Sequence, residues 1–186
     1  TTKLIKKMEN STSVKSVASP FGIYLGIILS LITILAYTFN LKLFTSWYLG
    51  VFNFIIIIIF LIISEIKTRK AVANPAFSFK DAFIASFIPI AIGLLISTIV
   101  SIIIFNFVDP EAAQTVIELT AEMSRNMMER FGLPEAEIEK AVAEVLESNQ
   151  FTLLNQLKSY IFQLAFWAAI SLILALIFRK KDPQTI

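Results

Sequence analysis

Residues 54–64 read FIIIIIFLIIS, eleven uncharged positions that would be apolar on every side of a helix. A helix without a polar face has no side that can meet water, so it is buried either in a large core or in lipid. Isoleucine is a mediocre helix former in water. In hydrocarbon that matters little, because unpaired backbone groups enforce the helix. Repetition decides between core and lipid. Four blocks, Pro20–Asn40, Phe44–Ser64, Ala82–Val108 and Leu157–Phe178, each reach the roughly 20 residues needed to cross about 30 Å of hydrocarbon. With 56% apolar residues, against about 45–50% in a soluble domain, the excess is segregated into these blocks. The fold class expected is all-α: a polytopic membrane protein with four transmembrane helices and an extracytoplasmic helical hairpin between the third and the fourth.

The middle stretches of the blocks carry no Asp, Glu, Lys or Arg. Ionisable residues within spans mark proton and ion paths, and none is expected here. The chain has no Cys and no His, which removes disulfides, thiolate chemistry, an imidazole base and an ordinary zinc site. The first block is too long for the apolar core of a typical signal peptide and reads as a retained anchor. Residues 1–7 precede the first methionine, Met8, and nothing is built on them.

Charge is sorted along the chain. Residues 109–150 hold ten acidic and three basic side chains, net −7; the remainder holds four acidic and thirteen basic, net +9, giving the overall +2. Basic residues near span ends set orientation. They gather in the segment 1–19 (Lys3, Lys6, Lys7, Lys15), in the loop 65–81 (Lys67, Arg69, Lys70, Lys80) and in the tail 179–186 (Arg179, Lys180, Lys181), whereas the turn between spans one and two has only Lys42. Four crossings put those three segments on one face. The expected topology has both termini and loop 65–81 in the cytoplasm of a bacterial inner membrane, with the hairpin 109–150 in the periplasm. Spans one to three fill 20–108 and the fourth lies in 151–178. Lys67, Arg69, Lys70, Lys80, Arg179, Lys180 and Lys181 are candidates for lipid-headgroup contact, which also accounts for the basic residues without nucleic acid. Trp47, Tyr48, Tyr160, Phe77 and Phe79 fit the aromatic belts of span ends.

The acidic segment has its own helical pattern. Asp109-Pro110-Glu111 combines a capping side chain, a proline suited to the first turn and an acid at the positive helix end. A stripe of Ala112, Val116, Leu119, Met123, Met127 and Phe131 follows, and Gly132 suits a left-handed terminus. Pro134-Glu135 opens a second helix with Ile138, Val142, Val145 and Leu146 on one side. A connection this short makes the two helices antiparallel neighbours. Their stripes face each other or a partner: Val116, Leu119, Met123, Met127, Phe131, Ile138 and Val142 are the candidate partner contacts, with Met adaptable at such surfaces. Most charges have a local opposite, Glu122 and Glu129 with Arg125, Glu137 and Glu144 with Lys140, as a solvated face would. The spacing lacks an EF-hand pattern, so no metal site is expected. No Pro or Gly interrupts Asn149–Tyr160, and the second hairpin helix is expected to run on into span four. Asp109-Pro110 separates span three from the hairpin more sharply.

Inside the spans the candidate interhelical polar residues are Asn53, Ser97, Ser101, Asn106 and Gln163, with Thr98 and Ser171 beside them. Gly22-to-Gly26 and Ser97-to-Ser101 are small-xxx-small steps suited to close helix approach, and Pro89 should kink span three. No catalytic triad, P-loop or dinucleotide fingerprint is present. The expectation is therefore a non-catalytic accessory or scaffold subunit that uses the hairpin for contacts. The alternative is a small oligomeric transporter or channel using the polar face of span three. Partners expected are the lipid bilayer and a membrane protein or a second copy, with no cofactor, no nucleic acid and no small-molecule substrate identified.

The stretch NPAFSFKDAF (74–83) before a span, together with ASPFGIYLGI (18–27), resembles a Bacteroidota family of small four-helix integral membrane proteins classed as a domain of unknown function. The resemblance covers nearly the whole chain. It implies an inner-membrane location and the same topology, no activity and no catalytic residues. On the physical reading, Phe77, Phe79 and Phe83 would anchor an interfacial turn, with Lys80 reaching lipid phosphate and Asp81 near the helix start.

Overall fold

The computed structural model describes residues 13–72 and 77–179. Its elements are α1 (Val14–Phe39), a 3-10 turn (Leu41–Thr45), α2 (Trp47–Val72), α3 (Phe79–Ile103) continued by a π turn (Ile104–Val108), α4 (Pro110–Arg130), α5 (Glu135–Glu147) and α6 (Leu153–Phe178). Among the described residues the secondary structure is wholly helical. Four helices, α1, α2, α3 with its π turn, and α6, are long and apolar enough to cross a membrane. No more than a third of the most apolar window of each is buried within the chain. The outward faces carry Ile, Leu and Phe, as bilayer-facing helices require.

Helix α3 is the centre. It packs on α1, α2 and α6, whereas α1 and α6 do not form a packed pair. The α1–α3 contact is the most intimate, and two glycines cause it. A Cβ at Gly22 would stand 2.7 Å from Ile92 Cβ and 2.9 Å from the Pro89 carbonyl oxygen; one at Gly26 would stand 2.8 Å from Ile96 Cβ. From the other side Gly93 admits Leu25, 2.9 Å from where its own Cβ would be. Without a hydrophobic drive between helices in lipid, such close backbone approach supplies the van der Waals attraction. Around it, Leu25, Leu29, Ile57, Leu61, Ile90, Leu94, Trp167 and Leu174 form the main core.

Pro89 lacks an N–H and so leaves the Ala85 carbonyl without its helical partner. Ser64 on α2 donates its hydroxyl to that carbonyl at 2.7 Å, an α2–α3 bond made necessary by the proline. Tyr160 of α6 likewise donates to the Ala91 carbonyl at 3.1 Å.

One end of the bundle gathers Val14, Phe77, Ala82, Ala85 and Ala175 into a second core. There Ser78 and Asp81 close a capping box at the start of α3, the Ser78 hydroxyl accepting from Asp81 N at 3.1 Å. Phe77 is 1% exposed and packs in that core rather than anchoring the interface as expected. Phe83 stacks on Phe87, while Phe79 remains exposed.

The opposite end carries the hairpin. The Asp109 carboxylate accepts from Ala112 N at 2.9 Å and from the Tyr37 hydroxyl at 3.0 Å, so one residue both caps α4 and ties it to α1. Ala112, Ala113 and Val116 then bury themselves against the π turn, with Leu41 and Phe44 packed alongside. Gly132, at φ 71°, closes α4 with the bonds Gly132 N to Glu129 O and Leu133 N to Met128 O of a Schellman motif. Helix α5 folds back on α4 through buried Ile138, Ile117 and Ala121.

Several boundaries differ from the sequence expectation: α1 already starts at Val14, with Pro20 inside it, and α2 starts at Trp47 after the 3-10 turn; two further differences matter more. Helix α2 continues beyond Ser64 through Val72, so Glu65–Val72 is helical and not loop. No Pro or Gly stops it, and Arg69 and Lys70 in its last turn complement the helix dipole. Conversely, α5 does not run into span four: the helix breaks after Glu147 and restarts at Leu153. Local side chains compete with the helix there. Asn149 Oδ1 accepts from Phe151 N at 2.9 Å, and Thr152 caps α6 by accepting from Asn155 N. Asn106 and Gln156 donate to the Phe151 carbonyl at 2.9 and 2.7 Å. The turn places the Phe151 ring 4.2 Å from that of Phe105, contact that a straight helix would forfeit.

Candidate functional site

The unfilled side of α3, between α1 and α6, is a polar cleft of about 320 Å³ under the hairpin. Ser97, Thr98 and Ser101 share one face of α3 at helical spacing. Gln156, Ser159 and Gln163 share one face of α6, and Thr33 enters from α1. Gln150, Phe151, Phe105, Phe44 and Val116 line the end nearest the hairpin. No charged side chain is among its lining residues. Thr33 spends its hydroxyl on the Leu29 carbonyl and Gln156 its amide on Phe151. Among the described residues, no hydrogen bond occupies the side chains of Ser97, Thr98, Ser101, Ser159 or Gln163. Hydroxyls and amides left open in an apolar helix pair cost energy unless something meets them. The cleft reaches about ten residues down α6 from Leu153 to Gln163, close to 15 Å at 1.5 Å per residue. Leu94 lines its inner part, and the packed core around Leu25 and Ile90 lies beyond it.

The expected polar set therefore divides. Ser97, Ser101 and Gln163 come together in the cleft. Asn106 does not line it and instead fixes the turn at Phe151. Asn53 stands on α2, with a buried Oδ1 that has no partner among the described residues. Gln156 and Ser159, which form an i, i+3, i+7 polar stripe with Gln163 in the sequence, join the cleft although the expected set omits them.

The candidate partner contacts divide too. Val116 and Ile138 are 2% exposed, occupied inside the protein, and Leu119 and Val142 are half-buried. Met123, Met127 and Phe131 remain exposed and face Lys42, Trp47 and Tyr48 across a groove of about 740 Å³. Arg125 pairs with Glu129 at 3.8 Å and, across the hairpin, with Glu135 at 2.8 Å. Those are the ion pairs among the described residues. Lys140 makes neither of the pairs expected for it, a small loss since exposed pairs contribute little. Lys67, Arg69, Lys70, Lys80 and Arg179 are exposed at the end opposite the hairpin. Lys180 and Lys181 lie outside the described residues, as do Lys3, Lys6 and Lys7.

Sequence reasoning does not single out Glu65. It falls in the expected loop 65–81, yet it lies on α2 at 0% exposure, within a helix long and apolar enough to span. Ser64 and Thr68, also at 0%, share its face, and Ser86 of α3, equally buried, lies opposite. The signal was present: Ile57, Leu61, Glu65 and Thr68 extend one buried stripe past the end of the apolar run.

A family model described as a protein of unknown function (DUF4199) matches residues 20–180, and the chain belongs to that family. No curated protein and no solved structure is similar to it.

Proposed function

We propose that this DUF4199 member is a multi-pass protein of a bacterial cytoplasmic membrane that carries a small uncharged polar solute through the α1–α3–α6 cleft, without catalysing a reaction. In this reading both termini and the basic end of the bundle are cytoplasmic, and the hairpin covers the cleft from outside. The carrying observation is the convergence of open hydroxyls and amides on a cavity at the small end of ligand-pocket sizes. Neutral donors and acceptors, with no charge among the lining residues, suit a neutral solute. The packed core around Leu25 and Ile90 lies between the cleft and the basic end, the kind of barrier that an alternating-access carrier must open and close.

Stopped-flow light scattering of proteoliposomes under gradients of glycerol, urea or a hexose tests the reading. At least one solute is expected to equilibrate faster than in empty liposomes. Ser97→Leu and Gln163→Leu, which fill the cleft, are expected to cut that rate tenfold or more, and the outward-facing Leu95→Ala to leave it unchanged. No protein-dependent rate for any of the three solutes, or full rates in both cleft variants, removes the proposal.

A second reading keeps the hairpin as the working part of a non-catalytic accessory subunit. Exposed Met123, Met127 and Phe131 beside Trp47 and Tyr48 favour it. A photo-crosslinker at Met127 would then capture one defined membrane protein in stoichiometric yield. Capture of lipid alone, or of another copy of this chain, rejects the accessory role.

A further inference from the structure

We propose that Glu65, with the hydroxyls of Thr68 and Ser86, forms a buried site for one monovalent hard cation, a proton or a sodium ion. The site lies at the opposite end of the bundle from the polar cleft and does not depend on the reading given to that cleft.

Neither carboxylate oxygen of Glu65 has a hydrogen-bond partner among the described residues, and neither has Thr68 Oγ1. Ser86 faces the carboxylate but donates to the Ala82 and Phe83 carbonyls, and Ser64 donates to the Ala85 carbonyl. The hydroxyl oxygens of Ser64 and Ser86 thus keep their lone pairs. Ala82, Ala85 and Leu61 around them are fully buried, so water does not solvate the group.

A bare carboxylate in such a place is among the most costly groups a helix bundle can hold. Neutrality requires one positive charge. Among the described residues the protein supplies none. On α2 itself Lys67, Arg69 and Lys70 are exposed; on the packed elements Lys15 of α1, Lys80 of α3 and Arg179 after α6 are exposed as well. None of these six forms an ion pair with Glu65. Asp81, the other acid at this end, is engaged with Ser78. What remains is a small cation from solution. A carboxylate and hydroxyl oxygens are hard donors, suited to a proton or an alkali ion rather than to a soft metal.

Thermal unfolding of the full chain in a neutral detergent provides the test. In one arm sodium is replaced by N-methyl-D-glucamine at constant ionic strength and fixed pH. In the other, without sodium, pH is raised from about 6 to about 9. Binding to the native state alone raises Tm by about 5–10 °C at a hundredfold excess of ligand over its dissociation constant. A Tm that falls on sodium removal identifies sodium; one that falls only with rising pH identifies the proton. In either case Glu65→Gln, neutral and isosteric, is expected to lose the dependence. Should it not fold, Thr68→Val replaces it and is expected to weaken the response tenfold. A wild-type Tm flat in both arms, or a variant with the unchanged response, overturns the proposal.

Discussion

Replacing Gly22 and Gly26 together with leucine is expected to separate α1 from α3 and to abolish the folded state in mild detergent. Each new side chain would enter space already held by Ile92, the Pro89 backbone or Ile96. Overpacking a filled contact costs about 1–3 kcal/mol per site. Backbone atoms cannot swing aside as a flexible side chain can, so Gly22 should lie at the upper end. The consequences extend beyond one helix pair. Tyr37, which holds Asp109 and therefore the start of α4, is carried on α1, and Thr33 lines the cleft from the same helix. A destabilised α1 should loosen both. Gly50→Leu is the internal control, because nothing stands within 4 Å of its would-be Cβ. It should leave Tm unchanged or raise it slightly, since glycine inside a helix costs about 1 kcal/mol relative to alanine. Equal losses at Gly22, Gly26 and Gly50 would mean that added bulk as such, not the α1–α3 contact, sets the effect.

Much of this architecture was legible because hydrocarbon imposes simple rules. Length and apolarity set the spans, and Asp109-Pro110 and Gly132 set the ends of α4. What escaped reading has a common cause. Side chains that satisfy one another across helices leave no mark in a single helix's pattern. Nothing in the local sequence shows that Ser64 answers the carbonyl freed by Pro89 twenty-five positions later, or that Asn106 and Gln156 hold the Phe151 carbonyl and so keep α5 and α6 apart. The continuation of α2 was misread for a related reason. Apolarity stops at Ser64, but helical structure does not, because Glu65 and Thr68 stay on the buried face while Lys67, Arg69 and Lys70 point outward. Half of the candidate site followed from the polar face of α3. The other half, Gln156 and Ser159, is a polar stripe with Gln163 in the sequence, and its role follows only from α6 standing opposite α3.

The threading of the chain rests on positive charge near the helix ends and on the pairing of connections at each end of the bundle. The first connection and the hairpin pack together through Leu41, Phe44 and Val116, so they must lie on one side. Val14, Phe77 and Ala175 meet at the other, beside the exposed lysines and arginines. Lysine and arginine are favoured on the cytoplasmic side, which is why the proposed topology puts the basic end there.

Because the chain has no cysteine, single cysteines report position without background. Ser148→Cys is close to isosteric and lies in the exposed turn after α5; Ala71→Cys lies in the exposed last turn of α2. With an impermeant maleimide on intact cells, Ser148→Cys is expected to label fully, and Ala71→Cys only after the membrane is opened. Labelling of Ala71→Cys but not Ser148→Cys in intact cells would invert the topology. Labelling of both in intact cells, or recovery of the protein in the soluble fraction, would contradict a four-span protein threaded by its basic end.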